Sequence, residues 1–257
     1  MSLDGFQPRD KDAFVGYSEA TARRAAVYLN HVAGWLNIEV DGIAKIPAGH
    51  GLLVANHAFG WDVAFAMAAI RRDTGRRVWA LGEHAWWRFP VLRRFAAAVG
   101  TVDGTAENAD RLLASGDLVM VLPGGLREAV KPRELRYRLL WGHRYGFVRA
   151  AIRNQAPIVP IVSLGFDELF DFMGNAYDRG GRWLRDRRIP IPLPSRLLPI
   201  PHRARLRFVI GDPIPSRYPP EAATDLASVR SVRREVEGAM HELLEMDLAR
   251  RVGIDLS

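Results

Sequence analysis

A histidine and an aspartate lie five residues apart in Asn56-His57-Ala58-Phe59-Gly60-Trp61-Asp62. On one continuous helix they would point about 140° away from each other. They meet only if His57 stands on a loop and Asp62 in the first turn of the helix that follows, a turn that Gly60 permits. The carboxylate would then accept the imidazole N–H, fix its tautomer and stabilise the imidazolium. The other ring nitrogen is left to take a proton from a hydroxyl. The same spacing also fits a loop histidine beside a helix-capping carboxylate, and by itself it does not choose.

A second segment adds to this. Val119 to Leu122 reads as a buried strand and runs into Pro123-Gly124-Gly125-Leu126-Arg127-Glu128-Ala129. A strand ending in a glycine pair makes an exposed loop at a sheet's carboxyl edge, where open α/β sheets place ligands. The glycines let a substrate approach the backbone, and Arg127 can pair with phosphate or carboxylate. A tight turn with a solvent-facing arginine fits the pattern equally well.

The elements that must hold these segments follow from periodicity. Gly51 to Ala55 is a continuous apolar run, as in a strand buried on both faces, and Asp62 to Arg71 reads as a helix. Further strands are predicted at Ile38–Val40, Val78–Leu81, Ile158–Val162 and Leu206–Ile210. Helices are predicted at about Tyr17–Leu36, Ala106–Ser115 with Gly116 as its stop, Tyr145–Asn154 and Asp225–Arg251. Strands alternating with helices predict an α/β fold: a single domain with a largely parallel central sheet flanked by helices. Within it, residues 1–37 form an N-terminal helical segment that is a candidate for docking on lipid. Residues 38–220 form the α/β domain proper, and 221–257 a C-terminal helix packed on it. The proline-rich stretch Ile189–Pro201 reads as an extended surface loop.

Composition narrows the chemistry. The chain has 257 residues, 48% hydrophobic and 25% charged, ample for a core. It has no cysteine, which excludes a disulfide framework, a cysteine nucleophile and thiolate metal sites. The net charge of +7, carried mostly by arginine, favours anionic partners. No nucleic-acid-binding motif accompanies it, and no nucleic-acid partner is expected. No Walker loop, Rossmann fingerprint or G-x-S-x-G elbow is present. His241-Glu242-Leu243-Leu244-Glu245 lacks the second histidine of a zinc-protease helix. Gly51 to Ile70 is long enough to span a bilayer, but Asn56, His57 and Asp62 lie inside it, so it reads as strand plus helix. The aromatic-basic run Trp86 to Phe95 suits either a headgroup interface or a helix over the mouth of the site.

These blocks resemble a known family. The His-x-x-x-x-Asp block is similar to that of the PlsC-type lysophospholipid and glycerolipid acyltransferases. The Pro123 block, Trp141-Gly142-His143-Arg144-Tyr145-Gly146-Phe147, Ala156-Pro157-Ile158-Val159-Pro160 and Gly211-Asp212-Pro213-Ile214-Pro215 resemble the diacylglycerol-acyltransferase-like branch, which includes the plant phytyl ester synthases. The five blocks run in order over about Ile38 to Pro215.

The resemblance implies the glycerolipid acyltransferase fold and a ternary O-acyl transfer without an acyl-enzyme. His57 would deprotonate the acceptor hydroxyl, which attacks an acyl thioester, and Asp62 would orient His57. Gly124, Gly125, Arg127 and Glu128 would line the acceptor or thioester pocket, while His143 and Arg144 read as structural support in preference to contacts with the thioester. No metal or bound cofactor is implied; acyl-CoA or acyl-carrier protein enters as co-substrate. The implied partners are the thioester donor, a lipid acceptor and an anionic membrane surface. The implied location is cytoplasmic, peripheral on the inner face of the cell membrane.

Departures from the family pattern bear on the acceptor. Phosphate-acceptor members carry Pro-Glu-Gly-Thr-Arg, where this chain has Gly124 and Leu126 in place of Glu and Thr. Their earlier basic block is matched here by Gly100-Thr101-Val102-Asp103-Gly104, without arginine, and the usual serine of the first block is Phe59. A neutral acceptor is therefore expected: mono- or diacylglycerol, or a long-chain alcohol. The alternatives are lysophosphatidic acid acylation, transfer to a sugar or lipid-linked glycan, and a catalytically silent lipid-binding relative.

Overall fold

A computed structural model describes residues 16–58, 61–84, 87, 90–129, 131–169, 172–175, 192–194 and 204–251. Seven strands form its main sheet: β1 (Glu39–Asp41), β2 (Gly51–Ala55), β3 (Val78–Gly82), β4 (Thr101–Asp103), β5 (Leu118–Val121), β6 (Ile158–Leu164) and β9 (Arg207–Ile210). Their spatial order is β1-β9-β6-β2-β5-β3-β4. β6, β2, β5, β3 and β4 are parallel, whereas β9 runs antiparallel to β6 and carries β1 parallel to itself. The fold is thus a single α/β domain with a mostly parallel sheet.

β2 lies at the centre, with Leu53 in register with Met120 of β5 and Val159 of β6. Its unbroken apolar sequence follows from that position. Leu52 and Val54 face a core shared with α4 (Ala106–Ala114), α6 (Gly146–Arg153) and α7 (Leu226–Arg251). Leu53 and Ala55 face the opposite core, shared with α1 (Glu19–Trp35) and α2 (Trp61–Thr74). A strand with helices on both sides has no face left for polar residues. Helix boundaries follow local chemistry. Ser18 and Thr105 cap α1 and α4 by accepting the N–H groups of Thr21 (3.2 Å) and Asn108 (3.1 Å). α3 (Pro90–Ala98) opens on proline, whose missing N–H costs nothing at a first helical position.

The structure adds to the sequence reading in places. Residues 101–103, without an apolar run, are recruited as edge strand β4 by pairing with β3. Pro192–Pro194, predicted in a surface loop, form β8 and pair antiparallel with β7 (Phe172–Asn175) in a separate two-stranded ribbon. The remainder of 189–201 lies outside the described residues, as do Phe59, Gly60 and Trp86. Gly51 to Ile70 is strand β2 followed by most of α2. Among the described residues no helix is long and apolar enough to cross a membrane.

Candidate active site

The site forms where parallel strands β2 and β5 end. Asn56, the first residue past β2, is buried and reaches across to β6. Its amide donates to the Ser163 carbonyl (3.1 Å) and accepts the Ser163 N–H (2.7 Å). This two-point bridge fixes where the chain leaves the sheet, and the next residue is His57.

His57 Nδ1 lies 3.2 and 3.3 Å from the two oxygens of Asp62, which sits in the first turn of α2. Asp62 is buried, and its Oδ2 also accepts the Ala58 N–H at 2.7 Å. The carboxylate is thus locked to the backbone that carries the histidine. The His57 side chain is 12% exposed. In the neutral ring with Nδ1–H donated to the carboxylate, Nε2 is the free acceptor, and His57 lines a cavity. This arrangement can accept a proton from a bound hydroxyl.

The cavity is large, about 1310 Å³. Its walls come from α1, α2, β3, α3, the Pro123 loop and α6, with side chains such as Leu29, Met67, Leu81, Phe95, Leu126 and Phe147. It accommodates a long apolar ligand with one end at the base.

The second block is divided by the structure. Gly125, in the left-handed region at φ 56°, lines the cavity, and so does Leu126. Arg127 is exposed and does not line it. His143 and Arg144, read from the sequence as structural support or as contacts to the thioester, line the cavity there, and the Arg144 Nη1 also donates to the Pro123 carbonyl at 2.7 Å. An ideal Cβ on Gly125 would stand 2.6 Å from that Nη1, so the glycine makes room for the arginine. Gly124 is absent from the cavity wall, and a Cβ there would overlap the Glu128 side chain.

Glu128, expected to line the substrate pocket, is instead fully buried. Its Oε1 accepts the His57 N–H (2.8 Å) and its Oε2 the Leu140 N–H (2.7 Å). Burial pushes its carboxyl above the usual range, opposed by Lys131 and by these two N–H groups. Lys131, also buried, completes the arrangement. Its ammonium donates to the carbonyls of His57 (3.0 Å) and Glu128 (3.4 Å) and pairs with Asp167 at 2.8 Å. Burial likewise raises the Asp167 carboxyl, with Lys131 opposing and the Asp62 charge adding to the rise. Asp167 also accepts the Tyr137 N–H at 3.0 Å.

Sequence reasoning missed Asn56, Lys131 and Asp167 as parts of the site. Asn56 is adjacent to the histidine, and Lys131 follows Glu128 by three residues, a spacing that shares a helical face. Asp167 carries no such signal.

Comparisons with known proteins bear on the family and the fold. A family model described as diacylglycerol acyltransferase matches residues 19–191. An enzyme named as a DGAT1/2-independent enzyme synthesizing storage lipids, from Mus musculus, is 32% identical over 203 residues, covering 78% of this chain and 59% of its own length. A protein of Mycobacterium tuberculosis is 35% identical over 191 residues, covering 70% of this chain and 52% of its own. The chain therefore spans between half and three-fifths of the length of these relatives. The crystal structure of the 1-acyl-sn-glycerophosphate acyltransferase PlsC from Thermotoga maritima superposes with a TM-score of 0.54 at 17% identity, covering 94% of this chain and 86% of that one. At that identity the likeness is one of fold.

Proposed function

Because the chain belongs to the diacylglycerol acyltransferase family, we propose that it moves a fatty acyl group from an acyl thioester to the hydroxyl of a neutral lipid. The observation that carries this reading is the His57–Asp62 pair opening on an apolar cavity of about 1310 Å³. His57 Nε2 takes the proton of the acceptor hydroxyl as its oxygen attacks the thioester carbonyl. Asp62 holds the ring and balances the imidazolium. Collapse of the tetrahedral species expels the thiolate, which takes the proton back from His57. The donor is acyl-CoA or acyl-carrier protein, and no metal is invoked.

A neutral acceptor is favoured by the charges around the cavity. Arg127 is exposed away from it, and the arginines that line it are already engaged, Arg71 with Glu19, Arg77 with Asp117 and Arg144 with the Pro123 carbonyl. Thr101 and Gly104 line the wall, and the ionisable residue between them is the acidic Asp103, 2.5 Å from His84 Nδ1. A phosphomonoester carries nearly two negative charges and needs several donors. A diol or alcohol needs one or two hydrogen bonds and an apolar channel.

The proposed setting is the cytoplasmic face of the cell membrane, with α1 and α3 as the docking face. Trp35 and Val91 are 81% and 79% exposed, and Tyr28 and Phe95 stand exposed at the cavity rim. Arg23, Arg24, Arg93 and Arg94 are exposed on the same two helices. Exposed aromatics beside arginine suit an anionic headgroup region.

The deciding experiment presents labelled palmitoyl-CoA with monoacylglycerol, diacylglycerol, a long-chain alcohol or lysophosphatidic acid in the same detergent micelles. Lipid products are then identified by mass spectrometry. The expected outcome is higher kcat/KM on one of the neutral acceptors. A clear preference for lysophosphatidic acid overturns the neutral-acceptor reading, and the absence of transfer to every acceptor points to a silent lipid-binding relative.

A further inference from the structure

His57 is gripped at three points, and two of them are on its main chain. Asp62 takes the ring, Glu128 takes the N–H, and Lys131 takes the carbonyl. Glu128 belongs to α5 (Gly125–Ala129) and Lys131 follows just beyond it. Lys131 spends all three of its ammonium donors on the His57 carbonyl, the Glu128 carbonyl and Asp167. Gly124 leaves the space that the Glu128 side chain fills. Glu128, in the block that reads in sequence as a substrate loop, and Lys131, two residues past it, are therefore both spent on the histidine.

We infer that Glu128 and Lys131 are positioning residues that clamp the main chain of His57 and set the charge around it, with Asp167 holding Lys131 in place. This rests on His57 being the base. Around the imidazole stand Asp62 from α2, Glu128 and Lys131 from α5 and its end, and Asp167 beyond β6. Arg71, Arg77, Glu83, His84, His143 and Arg144 line the same cavity. Each clamp residue sits on one side of a peptide unit of His57, so losing either lets the ring pivot about Asp62. A misplacement of about 1 Å at the reacting group costs about 10- to 100-fold in rate. The two losses have opposite electrostatic signs. Removing the Lys131 ammonium favours the imidazolium; removing the Glu128 carboxylate disfavours it.

The test compares wild type, Lys131→Met, Glu128→Gln and His57→Ala by steady-state acyl transfer over a pH series, with thermal melting of each. In folded variants, kcat is expected to fall about 10- to 100-fold while KM stays within a factor of about three. The acid limb of the pH–rate profile is expected to move to higher pH in Lys131→Met and to lower pH in Glu128→Gln. A loss of packing alone would slow both without opposed shifts. Folded variants with wild-type kcat, or with both limbs unmoved, overturn the clamp. A His57→Ala protein that still transfers acyl groups overturns the underlying reading of the base instead. If Lys131→Met fails to fold, hydrogen exchange on the wild type decides. The His57 amide lies outside every strand and helix, yet the clamp requires it to exchange as slowly as the amides of β2. Exchange at the rate of an open loop overturns it.

Discussion

At the scale of single residues, the reaction depends on one proton acceptor and the carboxylate behind it. His57→Ala removes the base, and acyl transfer is expected to fall about 10²–10⁴-fold with the melting temperature little changed. Asp62→Asn should lose less, because the base remains and only tautomer control and imidazolium stabilisation are damaged. Rate measured beside thermal melting checks both, and a folded His57→Ala protein with near wild-type turnover removes His57 from the mechanism. Glu128 gives a second residue-scale expectation. Its carboxyl is raised in the folded protein, chiefly by burial. A raised acid binds its proton more tightly folded than unfolded, so this group's contribution to stability is greatest below the ordinary glutamate range. That contribution is lost as pH rises through the folded value. Glu128→Gln has no such proton to lose. Its melting temperature should therefore decline less steeply than that of wild type from about pH 4.3, the ordinary glutamate value, upward, as followed by scanning calorimetry. A steeper decline in the variant would contradict the direction assigned here.

At the scale of elements, β2 and the segment after β5 carry most of the load. β2 is covered on both faces, and Leu53 is completely buried between Met120 and Val159. Leu53→Ala is expected to cost about 2–5 kcal/mol, since a packed neighbourhood relaxes little around the lost atoms. Urea unfolding would measure this, and a cost under about 1 kcal/mol, far below that range, would mean that the two cores collapse onto the gap. Pattern and packing agree at β2, because two-sided burial and an unbroken apolar run are one requirement. They part at the Pro123 block. A strand followed by paired glycines announces a close approach, but not what approaches. At Gly125 the neighbour is Arg144; at Gly124 it is Glu128. A glutamate placed at 124, as phosphate-acceptor members have it, would compete with Glu128 for the same space.

At the scale of the whole molecule, charge and exposed apolar surface act together. The chain carries a net charge of +7, and α3 contains Arg93 and Arg94 with no acidic residue. Wild-type protein is expected to co-sediment with vesicles containing anionic lipid and to dissociate as salt rises, because exposed charges are screened over about 10 Å at 0.1 M. Trp35→Ala with Phe95→Ala should weaken binding about tenfold or more at fixed salt, since burying one large apolar side chain is worth about 1.5–3 kcal/mol. Protein that stays in the supernatant at low salt would rule out this face as a lipid surface. Trp87 belongs elsewhere: it is half-buried, with its ring against Gly82 of β3.

What the sequence by itself determined is whatever short-range chemistry encodes. Apolar runs set the buried strands, capping residues and glycines set helix ends, and the five-residue spacing required His57 on a loop with Asp62 in the turn after it. The order of the blocks along the chain set the family. The tertiary structure alone decided which strands sit at the edge, because β4 has no apolar pattern and exists only through pairing with β3. It decided that Arg127 faces out while Arg144, seventeen positions further on, faces the cavity. It also turned Glu128 from a substrate contact into a brace and brought Asp167 to Lys131 across 36 positions of chain. A buried charge chooses its partner by proximity in a medium where neither can be left unpaired, and that proximity is set by the packing of β6 beside β2, not by spacing along the chain.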